Sequence, residues 1–188
     1  PAAVGGSCAR RLAPAPFGAP AAGVGATRRV DLAACAGLVA AGLHPNPVQH
    51  AHVTSSTVHK TLGGPRSGFI LNNDLDLQKK INSNVFPGQQ GGPLMHVIAG
   101  KAVAFKIAAS PEFKERQERV LACARILAER LVQPDVTAKG INVIPAAPDV
   151  HLVLVDLRHC DLTGQRPGCP APRTAVPVNR ASAVSSRP

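Results

Sequence analysis

The sequence is organised around residues 55–68, which read SSTVHKTLGGPRSG. Small hydroxylated residues lead to His59 and Lys60, and a turn rich in Gly and Pro follows at once. This order indicates a lysine at the end of a strand, on the floor of a pocket. Burial and cationic neighbours can keep such a lysine partly uncharged, as Schiff-base chemistry requires. The alternative is a solvated lysine on a surface loop. Without further evidence this alternative is favoured, because lysine side chains are usually exposed.

The net charge of +10 comes mainly from the two ends of the chain. Residues 1–30 and 166–188 each contain four arginines and no acid, which leaves residues 31–165 nearly neutral. Basic flanks can bind phosphate backbones. However, the chain has no Trp or Tyr to stack on bases and no recognisable nucleic-acid-binding module. We therefore treat a basic nucleic-acid-binding protein only as a minor alternative.

The cysteines bear on the cellular compartment. There are five, an odd number, and none forms a CxxC pair, which predicts a reducing compartment such as the cytoplasm and no structural metal. The longest apolar run, residues 32–43, is too short to span a bilayer. The arginine-rich start is also compatible with an organelle transit peptide, and this alternative stays open.

Asp31 is the first acidic residue of the chain. It lies within a predicted short buried strand at residues 29–33. At the carboxyl end of a parallel strand, an acid points into the crevice where α/β sheets bind ligands. The equally good alternative is a cap for a helix that follows.

Further strands are predicted at residues 52–57 and 68–71, and a helix at 75–81 that Asp74 can cap. A glycine-rich loop at 86–93 then leads into a helix at 94–108. Backbone N–H groups at such a helix start can bind a phosphate, although a plain flexible loop fits the pattern as well.

The second half of the chain predicts a long helix opened by Ser110 as N-cap and Pro111 as first helical residue. Apolar residues recur every three or four positions along this helix, so we expect one buried face and interpret the helix as structural. The apolar residues are Phe113, Val120, Leu121, Ala124, Leu127, Ala128 and Leu131. Strands are predicted at 140–144 and 151–157. Residues 1–27 and 166–188 lack any period and are expected to be poorly ordered.

Several segments resemble one family, serine hydroxymethyltransferase, which uses pyridoxal phosphate. The resemblance covers residues 30–165. It is carried by AGLVAAGLHP (36–45), HKTL (59–62), GPR (64–66), KINS (80–83), VFPG (85–88), QGGPLMH (90–96), SPEFK (110–114) and HLVLVDLR (151–158). It implies an α/β fold of type I, as in aspartate aminotransferase. Residues 28–110 would belong to the carboxyl-terminal half of the cofactor-binding large domain, and residues 111–165 to a linking helix and the start of a small domain.

The resemblance also implies roles for particular residues. Lys60 would form the internal aldimine with the cofactor, with His59 as its catalytic neighbour. Asp31 would pair with the pyridine nitrogen of the cofactor, and Ser7 would lie near the phenolic oxygen. An anion at the pyridine nitrogen keeps the ring protonated, so that it acts as an electron sink.

Other family positions concern the rim of the site and the assembly. Gly91 and Gly92 match a loop that reaches the cofactor phosphate of a neighbouring subunit, which implies a homodimer or a dimer of dimers. Phe86 would approach tetrahydrofolate, the one-carbon acceptor when serine becomes glycine. Thr61 and Arg66 would support the lysine loop.

The sequence departs from the family at several positions. Ala34 occupies a position where the family has a histidine. Val58 likewise replaces a threonine, Gly63 an arginine and Val150 an asparagine. The family chain is also much longer, so we interpret this chain as its middle piece. Two hypotheses follow: a hydroxymethyltransferase, or a truncated, non-catalytic polypeptide of the same ancestry. For the isolated chain, the second is favoured at this stage.

Overall fold

The computed structural model describes residues 2–4, 9–13 and 15–159. Ser7 and the basic segment 166–188 therefore lie outside the described residues. The architecture is α/β, as predicted, with these elements: β1 (Ala2–Val4), a 3-10 turn (Ala15–Phe17), α1 (Gly18–Gly23), β2 (Arg28–Asp31), α2 (Ala36–Ala40), β3 (Val53–Thr57), β4 (Gly68–Leu71), α3 (Leu75–Ser83), a π-helical turn (Asn84–Gln89), α4 (Met95–Ala108), α5 (Pro111–Leu131), α6 (Pro134–Thr137), β5 (Asn142–Ile144) and β6 (Leu154–Asp156).

The main sheet has four strands in the order β1-β2-β3-β4. The first three strands are parallel, and β4 runs antiparallel to β3. Asp31 pairs in register with Ser55, and Thr57 with Gly68. The predicted strands around β2, β3 and β4 are thus confirmed. β1 and α1 lie in the amino-terminal segment, where composition predicted little regular structure.

The core beside this sheet is built from small and aliphatic side chains around the buried ring of Phe113, and Phe69 packs against this cluster. Phe113 of α5 is 2% exposed and brings the long helix onto β2 and α2. The buried cluster consists of Val30, Leu32, Ala36, Ala41, Leu62, Ala108 and Phe113. Leu62 follows the lysine motif directly, so the turn that carries Lys60 is anchored in the core.

Both predicted helix caps are confirmed. Oδ1 of Asp74 accepts hydrogen bonds from the N–H groups of Asp76 at 2.9 Å and Leu77 at 3.0 Å. Ser110 Oγ accepts from the N–H of Phe113 at 3.3 Å. These contacts satisfy backbone donors that have no partner inside the first helical turn.

The predicted apolar face of α5 is partly wrong. Leu127 is 42% exposed, whereas the polar Gln117 is 2% exposed. Gln117 lies one helical turn after Phe113 and therefore shares its buried face. The buried amide is tolerated because it donates a hydrogen bond to the lysine turn, as described below.

The last two strands form a separate antiparallel pair, in which Val143 faces Val155. The predicted strand at 151–157 is shorter than expected, because only Leu154–Asp156 pairs with β5. Among the described residues, we find no helix with the length and apolar character needed to cross a bilayer.

Candidate functional site

Asp31 and Lys60 follow neighbouring parallel strands. Asp31 is the last residue of β2, and Lys60 comes three residues after the end of β3. Because β2 and β3 are parallel, both residues leave the sheet at its carboxyl edge, where α/β folds bind ligands. The prediction that Asp31 lies at the carboxyl end of a parallel strand is confirmed, whereas its role towards a ligand stays a prediction.

Two threonine hydroxyls join the lysine segment to the segment after Asp31. Thr57 Oγ1 donates to the carbonyl of Ala33 at 3.1 Å. Thr61 Oγ1 donates to the carbonyl of Ala34 at 3.0 Å and accepts from the N–H of Gly37 at 2.8 Å. The residue directly after Lys60 is thereby fixed against the start of α2.

The Asp31 carboxylate is half-buried and partly held by the backbone. Its Oδ1 accepts from the N–H of Ala33 at 2.7 Å. Within residues 2–4, 9–13 and 15–159, no hydrogen bond to its Oδ2 is found. The N-cap of α2 is Cys35, so Asp31 does not cap this helix in the predicted sense. Of the two carboxylate oxygens, only Oδ1 therefore has a hydrogen-bond partner among the described residues.

The lysine turn is closed by backbone hydrogen bonds. Gly63 N–H donates to the carbonyl of Lys60 at 2.9 Å, and Gly64 N–H donates to that of Val58 at 2.9 Å. Gly63 has φ of +74°, a conformation that glycine adopts without strain. Gly64 is required for a different reason, since a Cβ at this position would collide with Val58 and Ala104.

Lys60 itself is exposed, so the predicted pocket floor is wrong for the described chain. The turn carries the lysine above the sheet edge, and the core takes Leu62 instead. A cavity of about 330 Å³ lies at the opposite, amino-terminal end of the strands. Its lining does not include Lys60 and consists of Arg28, Gln49, His50, Ala51, His52, Asn73 and Asp74.

His59 and Arg66, the two expected neighbours of the lysine, differ in environment. His59 is half-buried, and its Nδ1 lies 3.3 Å from the backbone nitrogen of Ser67, whose N–H donates to it. His59 therefore binds the end of the lysine loop. Arg66 is exposed, and no hydrogen bond or ion pair of its side chain is found in the part of the chain that the structure describes.

Two helices contact the segment 55–68 that carries Lys60. Gln117 Nε2 on α5 donates to the carbonyl of Thr61 at 3.2 Å. Lys101 Nζ on α4 donates to the carbonyl of Gly68 at 2.9 Å. The Arg116 guanidinium lies 3.2 Å from where a Cβ on Gly63 would stand, and 4.7 Å from the centroid of the Phe113 ring.

Sequence analysis missed this contribution of α5, because the helix was interpreted from its apolar residues alone. Gln117 lies four residues after Phe113, on the predicted buried face. A polar residue within a buried face needs a partner, and this was the available signal.

Gly91, Gly92 and Phe86 are exposed. A Cβ on either glycine would meet no atom within 4 Å. The loop precedes α4, whose N-cap, Leu94, provides no side-chain hydrogen bond. No hydrogen bond joins these three residues to the lysine turn in the described ranges. Their predicted roles in binding cofactor phosphate and folate remain predictions.

Three of the replaced family positions are buried and apolar. Val58 is fully buried, Val150 is 3% exposed and Ala34 is 9% exposed. Val58 packs beside Gly64 under the turn, and the carbonyl of Ala34 accepts a hydrogen bond from the Thr61 hydroxyl. Val58 and Ala34 thus form part of the packing around the lysine turn.

Comparison with known proteins identifies the family. The family model described as serine hydroxymethyltransferase matches residues 4–186. The chain belongs to the serine hydroxymethyltransferase family. The match includes most of both basic flanks, beyond the residues 30–165 in which the resemblance was recognised. The family assignment therefore outweighs the nucleic-acid alternative.

Individual relatives agree with this assignment. A serine hydroxymethyltransferase of Corynebacterium sp. (strain P-1) is 66% identical over 159 residues, covering 85% of this chain and 61% of the relative. That of Kocuria rhizophila is 64% identical over 84% of this chain and 37% of its own length. That of Leifsonia xyli subsp. xyli is 60% identical over 91% and 40%. The chain thus spans about 37% to 61% of these relatives' lengths.

Proposed function

We propose that this chain provides the lysine-bearing part of a pyridoxal-phosphate enzyme that interconverts serine and glycine, with tetrahydrofolate as the one-carbon carrier. The observation that carries the proposal is the joint position of Asp31 and Lys60 at the carboxyl edge of β2 and β3. The Thr57 and Thr61 hydroxyls hold the two segments together.

The residues present fit this cofactor. Asp31 keeps one carboxylate oxygen on the backbone of Ala33 and offers the other to a protonated ring nitrogen. The Lys60 side chain is exposed and is therefore accessible to an aldehyde. When bound, pyridoxal phosphate would supply an electron sink for the electrons of a bond broken in the amino acid.

Each residue then has a defined task. Lys60 would hold the cofactor through its amine, which must be unprotonated for this because only a free lone pair can bond to carbon. Asp31 would hold a proton on the ring nitrogen by charge and hydrogen bonding. Thr61 limits where the lysine backbone can move, and His59 secures the far end of its loop through Ser67.

The outer part of the site is assigned by family position. Gly91 and Gly92 would bind the cofactor phosphate of a neighbouring subunit, which makes the assembly a homodimer or a dimer of dimers. Their exposed loop before the 14-residue helix α4 supports this assignment, because free N–H groups attract anions. Phe86 would face the folate and is 61% exposed. Ser7 would approach the phenolic oxygen of the cofactor, and Arg66 would support the lysine loop.

The finer fold assignment is part of the same proposal. Residues 28–110 would form a portion of a fold-type I large domain, and residues 111–165 the linking helix and the start of a small domain. Support comes from α5, which packs Phe113 into the core near the lysine turn. The cytoplasm is the proposed location.

Covalent labelling of the unaltered chain tests the proposal. The chain is incubated with pyridoxal phosphate and reduced with borohydride, and the modified lysine is identified by mass spectrometry. We expect modification at Lys60, its loss in Lys60→Arg, and its retention in Lys79→Arg, which alters an exposed lysine on α3. An unmodified Lys60 would overturn the proposal and leave the non-catalytic alternative. Turnover of serine with tetrahydrofolate would exclude that alternative.

A further inference from the structure

We propose that Gln117 on α5 is a positioning residue for Lys60 and acts through Thr61. The importance of Lys60 rests on the proposed function. The link from Gln117 through Thr61 to Lys60 rests on the structure alone.

The link begins with a polar side chain in an apolar setting. Gln117 is 2% exposed and lies on the same face of α5 as Phe113. Its Nε2 donates to the Thr61 carbonyl at 3.2 Å, a contact between residues 56 positions apart. A buried hydrogen bond of this kind restrains both the helix and the turn.

Thr61 receives restraints from three sides. Its carbonyl binds Gln117, while its hydroxyl binds the carbonyl of Ala34 and the N–H of Gly37. Consecutive Cα atoms are about 3.8 Å apart, so a fixed Thr61 limits the positions that the Lys60 backbone can take. The position of the lysine relative to the Asp31 segment is therefore set partly by α5.

Packing alone does not account for the amide at position 117. Its Oε1 is buried and has no hydrogen-bond partner among the described residues. An unpaired buried acceptor is unfavourable, and methionine would fill similar space without it. The donor function of Nε2 is what methionine lacks. Glutamine therefore lowers the stability of the fold somewhat, but it holds the Thr61 carbonyl in place.

The chain offers a matched control. Gln133 also donates through Nε2 to a backbone carbonyl, that of Glu129 at 2.9 Å. It is exposed and follows the end of α5, so its bond does not involve the lysine turn. The variants Gln117→Met and Gln133→Met remove the same type of hydrogen bond at the two places.

The first measurement is limited trypsin digestion of the unliganded chain, followed by mass spectrometry. Cleavage after Lys60 is compared with cleavage after Lys139, an exposed reference site. We expect Gln117→Met to increase the ratio several-fold and Gln133→Met to leave it unchanged. Equal ratios in all three proteins would overturn the inference.

The second measurement separates positioning from packing. In Gln117→Glu, a protonated carboxyl can donate to the Thr61 carbonyl, whereas a carboxylate cannot. Amide exchange of Gly63 and Gly64 is measured between about pH 5 and 8, where a buried glutamate titrates. The rate relative to the unaltered chain should be near one at the acid end and rise with pH. Dividing the two rates cancels every pH dependence that the two proteins share.

A rate ratio that does not vary with pH, or one that rises equally at the core amide of Val30, would show a packing role only and overturn the inference. If Gln117→Met does not fold, the pH dependence of the rate ratio in Gln117→Glu still decides. Pyridoxal-phosphate labelling is run in parallel. Absence of labelling in the unaltered chain contradicts the proposed function, while trypsin digestion and amide exchange still test the link.

Discussion

Gly37 approaches Thr61 so closely that a Cβ on Gly37 would lie 2.6 Å from the Thr61 carbonyl oxygen. A neighbouring hydrogen bond runs from the backbone N–H of Gly37 to the side-chain Oγ1 of Thr61 and is 2.8 Å long. The start of α2 and the turn after Lys60 are therefore fitted to each other at backbone level. This contact sets the distance between the Asp31 segment and the lysine segment.

Gly37→Ala should destabilise the chain by about 1–3 kcal/mol, because the added methyl group meets rigid backbone atoms. The free energy of unfolding in urea measures the effect. Gly23→Ala is the control, since a Cβ there meets nothing within 4 Å. An equally stable Gly37→Ala variant would show that this close approach is absent in solution.

Thr61→Val should remove both hydroxyl hydrogen bonds and leave the Ala34 carbonyl and the Gly37 N–H without that partner. We expect a loss of about 1–3 kcal/mol in unfolding free energy. Labelling of Lys60 by pyridoxal phosphate should fall as well. Thr61→Ser keeps the hydroxyl and should retain most of both properties. If valine and serine behave alike, the hydroxyl does not hold the turn.

Asp31→Asn should weaken cofactor binding, since a neutral amide cannot hold a protonated ring nitrogen by charge. A charge-assisted hydrogen bond contributes about 1.5–3 kcal/mol, which corresponds to roughly 10-fold to 100-fold in affinity. The pyridoxal-phosphate concentration that half-labels Lys60 reports the change. Asp76→Asn on the exposed face of α3 should leave it unchanged. An unaltered affinity in Asp31→Asn would remove Asp31 from the cofactor site.

Stability should decrease as the pH falls below the ordinary histidine value of 6.5. Burial lowers the pKa of His44 and of His151 in the folded chain, and His151 Nδ1 is buried without a partner among the described residues. Just below 6.5 the unfolded chain therefore binds more protons, which favours unfolding. Urea midpoints measured from neutral to mildly acidic pH test this.

The double variant His44→Gln, His151→Gln should flatten this dependence, whereas His96→Gln on the exposed start of α4 should not. A pH dependence that survives the double substitution would assign the effect to other groups.

Cys35 should react with iodoacetamide more slowly than Cys123. Burial raises the pKa of the Cys35 thiol, and the thiolate is the reactive form. Cys123 is exposed on α5. Peptide mass spectrometry after short labelling at neutral pH gives the order of modification. Faster reaction at Cys35 would mean that the segment between β2 and α2 opens readily.

Local patterns were sufficient for much of the fold. The N-caps Asp74 and Ser110 could be predicted because a capping side chain acts on backbone two or three residues away. The strands of the main sheet around Asp31 and Lys60 could be predicted from short apolar and β-branched runs. Contacts across the chain could not, as Gln117 and Leu127 illustrate. Their burial depends on what lies opposite α5, which helical periodicity does not specify.

The family and the candidate residues follow from residue order, since Asp31, His59, Lys60 and the Gly91-Gly92 loop can be recognised in the unfolded chain. How these residues are held depends on the folded chain. Folding brought Thr61 against Gly37, turned Gln117 inward to its carbonyl and left Lys60 exposed above the sheet edge. The physical reason is that side-chain chemistry is encoded locally, whereas burial and hydrogen-bond partners come from segments far apart in sequence.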